Sequence, residues 1–489
     1  MVALALPAVL TLVVLVGMIL VVPDGALVDC ERDGHFQRAG WLSCGVGYPN
    51  APYGPLLPWL VAPLIPVVGT PYLAGRILSL LALLGLVGLS WRAARVYGAG
   101  LGAAALTALL VGLNGPMLFY GSMACSDMPA TSLFLGASWL ALRGLDARGA
   151  PWRLGLAGLL LAAACLVRVQ FYLPALVMLA VTPLLARRLR PGLALLLGFG
   201  LPVVLALAVG WRRYGDPGDA LSLHLGLAAY TRNLVRAGAI LGQVGVEGDA
   251  VSLGGRLAWS VQLVVRCTGG LPLLGALGAL VLSLSRRRWR PLLVVLVPAL
   301  ALYAGLAWSH PPPDWGARRF YLFLVPVCAV ATVLLGRVAL QRWRPGSRAL
   351  PVCLALALGL AAAAHGVWEI RSFRAPELGS LAHSSGDVPR GLASSYERGV
   401  IREVGRLGAD LDACAPVATN FHAATTCFRN AWFLGDVPLE GPWTWAEDIP
   451  RGPAGELWLL WVPPGGEGSP VLVPAPRSGA ASPALGSPP

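Results

Sequence analysis

The chain has 489 residues, of which 56% are hydrophobic and only 12% charged, and its mean hydropathy is +0.68. A soluble globular protein is about a quarter charged, so this composition excludes a soluble globular domain and indicates an integral membrane protein. The net charge of +13 would suit a nucleic-acid binder, but all 37 basic residues are arginine and most lie in short loops between apolar runs, which points to membrane lipids as partners and to no nucleic acid.

In chain order, the apolar run Leu4–Val22 is long enough to span a bilayer and lacks the basic flank and cleavage site of a signal peptide, so it reads as a retained helix. The polar stretch 23–55 follows, with acids at Asp24, Asp29, Glu31 and Asp33. Residues 56–68 are apolar but short and broken by prolines, the pattern of an interfacial or re-entrant helix. Further spans are predicted over 71–91, 99–118, 127–142, 153–167, 171–186, 191–210, 264–284, 291–308, 320–336 and 349–367, about 11 in all. The 153–186 pair also reads as one long kinked helix. Between spans, 211–256 reads as a helix lying at the interface.

From about residue 369 the composition changes. Val400, Ile401, Val404, Leu407 and Leu411 fall at amphipathic-helix spacing, and 456–462 and 470–474 read as short strands. The predicted fold class is an all-α polytopic membrane bundle over 1–368, with a small α/β extracytoplasmic domain over 369–475 and a disordered tail over 476–489.

Threading the spans alternately puts five arginine-bearing loops on one side: Arg92/Arg95, Arg143/Arg148/Arg153, Arg187/Arg188/Arg190, Arg286/Arg287/Arg288/Arg290 and Arg337/Arg342/Arg344/Arg348. By the positive-inside rule that side is cytoplasmic. The N-terminus is then cytoplasmic, while the 23–55 loop, the turns before Asp127 and at Arg168, the 310–319 loop and the C-terminal domain lie outside. Of the nine cysteines, Cys30 and Cys44 occupy the outside loop and Cys414 and Cys427 the tail. In an oxidising compartment these would form two local disulfides; otherwise they stay free thiols.

Three groups of residues have the types that chemistry needs. Asp33, in a polar loop at the mouth of the bundle, is a candidate general base for an acceptor hydroxyl or amine, or a carboxylate that orients a metal, against the plainer reading that it solvates the loop. Asp127, flanked by Ser126 and Pro129, reads equally as a helix-start carboxylate and as a second catalytic or metal-orienting acid. Arg168 lies in an apolar run, where an arginine needs a partner or a water-filled cavity. Arg318 and Arg319, like Arg212 and Arg213, sit on the outer side, against the positive-inside trend, and call for an anion such as a lipid phosphate or for headgroup snorkelling. Arg76, one turn into its helix, is expected to snorkel. The tryptophans of the tail, Trp432, Trp443, Trp445, Trp458 and Trp461, read as packing rather than as a sugar-stacking platform.

The motif order resembles the GT-C superfamily of integral-membrane glycosyltransferases, in the branch of dolichyl-phosphate-mannose–protein mannosyltransferases and lipid A aminoarabinose transferases. The residues that carry the resemblance are Asp33-Gly34-His35-Phe36-Gln37-Arg38-Ala39 in the first outside loop and Tyr53-Gly54-Pro55-Leu56-Leu57-Pro58 at the juxtamembrane helix. Gly75-Arg76-Ile77-Leu78-Ser79, Ser126-Asp127-Met128-Pro129 and Gly316-Ala317-Arg318-Arg319-Phe320 continue it. Gly34 stands where the family has a second acid, a role left to Glu31 or Asp127, and the lysine that often precedes the juxtamembrane helix is absent.

The resemblance implies inverting transfer of a sugar from a polyprenyl-phosphate donor to a glycan, lipid or protein acceptor on the periplasmic face of a bacterial inner membrane. It implies Asp33 as base, Asp127 as a second acid, Arg168, Arg318 and Arg319 around the lipid phosphate, and Tyr53, His35 and Glu31 as further substrate contacts. Some relatives use a divalent cation such as Mg or Mn; no ligand set for one is legible here. Two other classes fit the composition: a transporter or flippase for a lipid-linked or anionic solute, and a non-enzymatic membrane assembly subunit.

Overall fold

Inside a bilayer every backbone N–H and C=O must be satisfied within the chain, so long apolar runs fold as helices. The computed structural model describes residues 35–46, 56–145, 151–186, 189–214, 253–285, 287–309, 321–343, 395–419, 428–433, 456–462 and 469–474, with a few isolated positions within 7–13 and 357–365. The helices are α1 (His35–Ser43), α2 (Leu56–Val68, kinked through a 3-10 turn), α3 (Pro71–Val96), α4 (Leu101–Gly112), α5 (Gly115–Gly121), α6 (Asp127–Gly144) and α7 (Pro151–Val167). They continue with α8 (Tyr172–Ala186), α9 (Leu189–Tyr214), α10 (Leu253–Thr268), α11 (Leu271–Ser285), α12 (Leu293–Ser309), α13 (Leu324–Trp343) and α14 (Ser395–Leu407).

Local chemistry sets several boundaries. The Thr70 hydroxyl accepts from the Leu73 N–H and Pro71 opens α3. Asn114 breaks the predicted 99–118 span: its side chain caps α5 by accepting from the Met117 N–H, and its amide donates to the Cys267 carbonyl of α10. α4 and α5 therefore meet at a bend of 61°. The predicted 264–284 span is likewise broken, at Gly269 (φ 79°) and Gly270 (φ 77°), a left-handed pair that only glycine adopts without strain and that separates α10 from α11. Of the interfacial helix expected over 211–256, residues 215–252 lie outside the described residues; α9 runs on to Tyr214 and α10 begins at Leu253.

Among the described residues four helical segments are long and apolar enough to cross a membrane: Pro71–Val96, Val169–Ala186, Arg190–Val209 and Arg290–Ala307, with the bent α4–α5 pair a fifth. The difference from about 11 expected spans has physical causes. The breaks above shorten two runs, α7 has 17 residues, and the runs at 4–22 and 349–367 fall almost wholly outside the described residues.

α7 packs between α6 and α9, α3 between α4 and α6, α8 against α12 and α11 against α13. Phe134, Phe171 and Phe323 form a chain of ring contacts through the core, at centroid distances of 5.3 and 6.5 Å. Because lipid is as apolar as leucine, such interlocking contacts rather than the hydrophobic effect hold the bundle together. α9 shows the complementary pattern, with Leu193, Leu197, Leu201, Val204 and Leu205 exposed, as a lipid-facing helix requires.

The C-terminal part carries a four-stranded sheet, β1 (Val417–Thr419), β2 (Ala431–Phe433), β3 (Trp458–Trp461) and β4 (Val471–Pro474), in the order β2-β1-β3-β4. β1 is parallel to both β2 and β3, and β4 closes the edge antiparallel to β3. Val400 and Val404 of α14 join Val417, Phe428, Leu460 and Val462 in one buried cluster, against which Trp458 packs.

This sheet is tied to α1 by a disulfide between Cys44 and Cys414, 370 residues apart in sequence, with the Cα atoms 5.5 Å apart. The expected local pairings are thereby corrected for both of these cysteines; Cys30 and Cys427 lie outside the described residues. Neighbouring contacts explain why the long-range bond forms. The Asn430 amide donates to the Cys414 carbonyl, Arg429 Nε donates to the Gly69 carbonyl at 2.9 Å, and Gly40 of α1 sits so close to the Arg429 backbone that a Cβ would not fit.

Candidate functional site

Helix α7 ends at Val167, and Arg168 leaves it in an extended conformation (φ −141°, ψ 117°) before a 3-10 turn over Val169–Phe171 leads into α8. The 153–186 segment is therefore two helices. The break turns the guanidinium towards the first residue of α6. There Arg168 Nε donates to Asp127 Oδ1 at 3.1 Å and Nη2 to Oδ2 at 2.8 Å, a bidentate pair. Gln170 Nε2 donates to Oδ1 at 3.2 Å, and the Cys125 thiol lies 3.6 Å from Oδ2. Asp127 is 1% exposed and Arg168 7%. Ser126 makes no side-chain capping bond, so Asp127 serves α6 through its charge at the helix start while its oxygens face Arg168 and Gln170.

The turn that delivers Asp127 is held from the other side by α3. Ser79 Oγ donates to the Cys125 carbonyl at 3.0 Å and accepts from the Cys125 N–H at 3.1 Å. One turn earlier, Arg76 Nε donates to the Ser122 carbonyl at 2.8 Å, and the guanidinium lies 5.8 Å from the Tyr72 ring centroid. Arg76 is buried, not snorkelling as its sequence position suggested, because its donor finds a carbonyl inside the bundle. α1 closes the group: the Phe36 ring lies against Gly75, and His35 and Arg38 are both buried.

Of the residues singled out in the sequence, Asp127 and Arg168 are thus brought into direct contact, and His35 is buried on the helix packed against α3. Asp33, Glu31, Tyr53, Arg318 and Arg319 lie outside the described residues. Gln170 was not singled out; the signal that identifies it is a carboxamide two residues after an arginine in an otherwise apolar run. Among the described residues no three His, Cys, Asp or Glu side chains gather as a divalent cation would need, and the Asp127 carboxylate is occupied by N–H donors. The described residues do not fit a metal.

No protein-family model and no curated protein matches the chain by sequence. Solved structures do match it in shape. The Archaeoglobus fulgidus oligosaccharyltransferase, crystallised with Zn and sulfate, superposes with a TM-score of 0.57 at 13% identity, covering 94% of this chain and 67% of that one. The likeness is one of fold. ArnT from Cupriavidus metallidurans, bound to undecaprenyl phosphate, gives 0.56 at 16% identity and covers 93% of each chain. The A. fulgidus enzyme AglB, with an inhibitory peptide and a dolichol-phosphate, gives 0.50 at 13% identity, over 94% of this chain and 69% of that one. These are GT-C membrane glycosyltransferases, the superfamily to which the sequence motifs pointed.

Proposed function

We propose that this protein is a membrane glycosyltransferase that moves a sugar from a polyprenyl-phosphate donor to an acceptor on the outer face of the membrane. The observation that carries this reading is the fold: the same architecture covers more than nine-tenths of both this chain and ArnT, a protein crystallised with undecaprenyl phosphate. The buried polar group at one end of the apolar bundle supports it, since a charged site at the membrane boundary suits a donor with a lipid tail and an ionic head.

In this reading Asp33 takes the proton of the acceptor hydroxyl or amine as that atom attacks the anomeric carbon. The new bond to C1 forms with inversion as the C1–O bond breaks, and the lipid phosphate leaves with the bonding electron pair. Arg318, Arg319 and Arg168 surround that phosphate with positive charge, Arg168 from its place on Asp127, and the stabilisation is electrostatic. Asp127 holds Arg168 in a single orientation and so fixes where its charge acts. His35, Tyr53 and Glu31 contact the substrate.

The test uses full-length protein reconstituted in liposomes with polyprenyl-phosphate sugars and follows release of free polyprenyl phosphate. Turnover is expected in the wild type and is lost in Asp33→Asn at equal membrane expression. Near-normal turnover in that variant would remove Asp33 from the mechanism. Movement of the intact donor between leaflets with no cleavage would favour a flippase instead.

A further inference from the structure

We infer that Arg76 and Ser79 are positioning residues for Asp127: two points on one face of α3 clamp the backbone of the 122–125 turn and so fix the carboxylate that orients Arg168. The inference rests on the transferase reading for its consequence and on hydrogen-bond geometry for its substance. Residues three apart on a helix lie on one face, and these two reach consecutive parts of the same turn. Arg76 Nε holds the Ser122 carbonyl at 2.8 Å; Ser79 Oγ both donates to the Cys125 carbonyl and accepts from its N–H. Three backbone groups of a turn without regular helical bonding are thereby satisfied.

Asp127 follows the clamped Cys125 by two residues, and the Cys125 thiol itself lies against Asp127 Oδ2. A turn free to shift would move the carboxylate relative to Arg168, which approaches from a different element, the α7–α8 break. The clamp touches neither Arg168 nor Gln170, so it acts through Asp127. Arg76 makes no ion pair with any acid among the described residues, and its Nη2 has no hydrogen-bond partner there, so its ordered donation goes to a carbonyl. A buried guanidinium is costly unless its donors are placed, and Arg76 places Nε on the Ser122 carbonyl of the turn.

Cys125 is a built-in reporter, being a reduced, fully buried thiol inside the clamped turn. The experiment treats full-length wild type, Arg76→Met, Arg76→Lys and Ser79→Ala with N-ethylmaleimide in membranes and maps modified peptides by mass spectrometry, with steady-state transfer assayed on the same preparations. Cys125 should label about tenfold faster in Arg76→Met and Ser79→Ala, while Cys165, buried in α7, stays unmodified. Turnover in these two variants should fall about tenfold at little-changed donor KM, with Arg76→Lys, which keeps a donor, close to wild type. Unchanged Cys125 labelling in both variants overturns the clamp, and Cys165 labelling alongside Cys125 overturns it as well, because the residues then hold the fold rather than the turn. The labelling needs no turnover, so a wild type that transfers no sugar would sink the transferase reading while Cys125 still decides the clamp.

Discussion

At the scale of single residues, the Asp127–Arg168 pair is a buried ion pair among the described residues. Two charges taken out of water cost several kcal/mol each, recovered only by good geometry and by filling the remaining hydrogen-bond positions. Here the geometry is bidentate, and Gln170 fills a further position on Oδ1. Removing one partner strands the other, so Arg168→Ala is expected to cost about 3–5 kcal/mol of stability. The double variant Asp127→Ala/Arg168→Ala should recover a clear part of that loss. Thermal unfolding in detergent would check this, and a double variant no more stable than Arg168→Ala would mean the pair is not coupled as drawn. Both residues were legible in the sequence, because a charge in an apolar run has to be explained. Their partnership was not, since they are 41 positions apart and nothing in either segment states where the chain turns back. Arg76 was misread for the related reason that snorkelling and inward bonding look alike until the carbonyl of Ser122 is in place.

At the scale of elements, the joint between α1 and the C-terminal sheet makes the clearest prediction. The Cys44–Cys414 bond, the Arg429–Gly69 bond and the close approach at Gly40 converge on a small area. Removing a native disulfide costs roughly 2–5 kcal/mol in small domains; with two noncovalent contacts remaining and helices inserted between the two cysteines, the effect here should be local. Cys44→Ser is expected to change mobility on a non-reducing gel and to open residues 395–419 to limited proteolysis, while the helices of the bundle stay protected. Wild-type protease resistance of that segment would show that the noncovalent joint suffices. Within α14 the exposed Glu403–Arg406 pair holds the Glu403 carboxyl below its ordinary range by a hydrogen bond from Arg406. Its small stabilising effect is present above that range and lost as pH falls through the lowered value. Apolar runs revealed most of the helices, and the sequence also located the strands at 456–462 and 470–474. It did not reveal β1 and β2, because three residues are too few to display alternation. The breaks at Asn114 and at Gly269–Gly270 were legible as residue types but not as bends, because glycine and asparagine are also tolerated inside membrane helices.

At the scale of the whole molecule, the long helices act as rulers. From Arg76 to Arg95 along α3 is 19 residues, roughly 28 Å at 1.5 Å per residue, close to the roughly 30 Å of a hydrocarbon core. Along α6, Asp127 and Arg143 are 16 residues or about 24 Å apart. Arg76 and Asp127 meet at one end of the bundle through the 122–125 turn. Arg95, whose Nη1 donates to the Ala99 carbonyl, and Arg143 therefore lie towards the other. α1 and the sheet joined to it sit at the Arg76 end, because Phe36 packs on Gly75. If the arginine-rich end faces the cytoplasm, the disulfide, the sheet and the Asp127 group all face the opposite compartment, and an oxidising compartment there suits the disulfide. Alkaline phosphatase fused after Pro474 should then be active in cells, and the same reporter fused after Leu145, between α6 and α7, should be inactive. The reverse pattern would place the disulfide in a reducing compartment and the arginine loops outside, and would overturn both the orientation and the outer-face site of transfer.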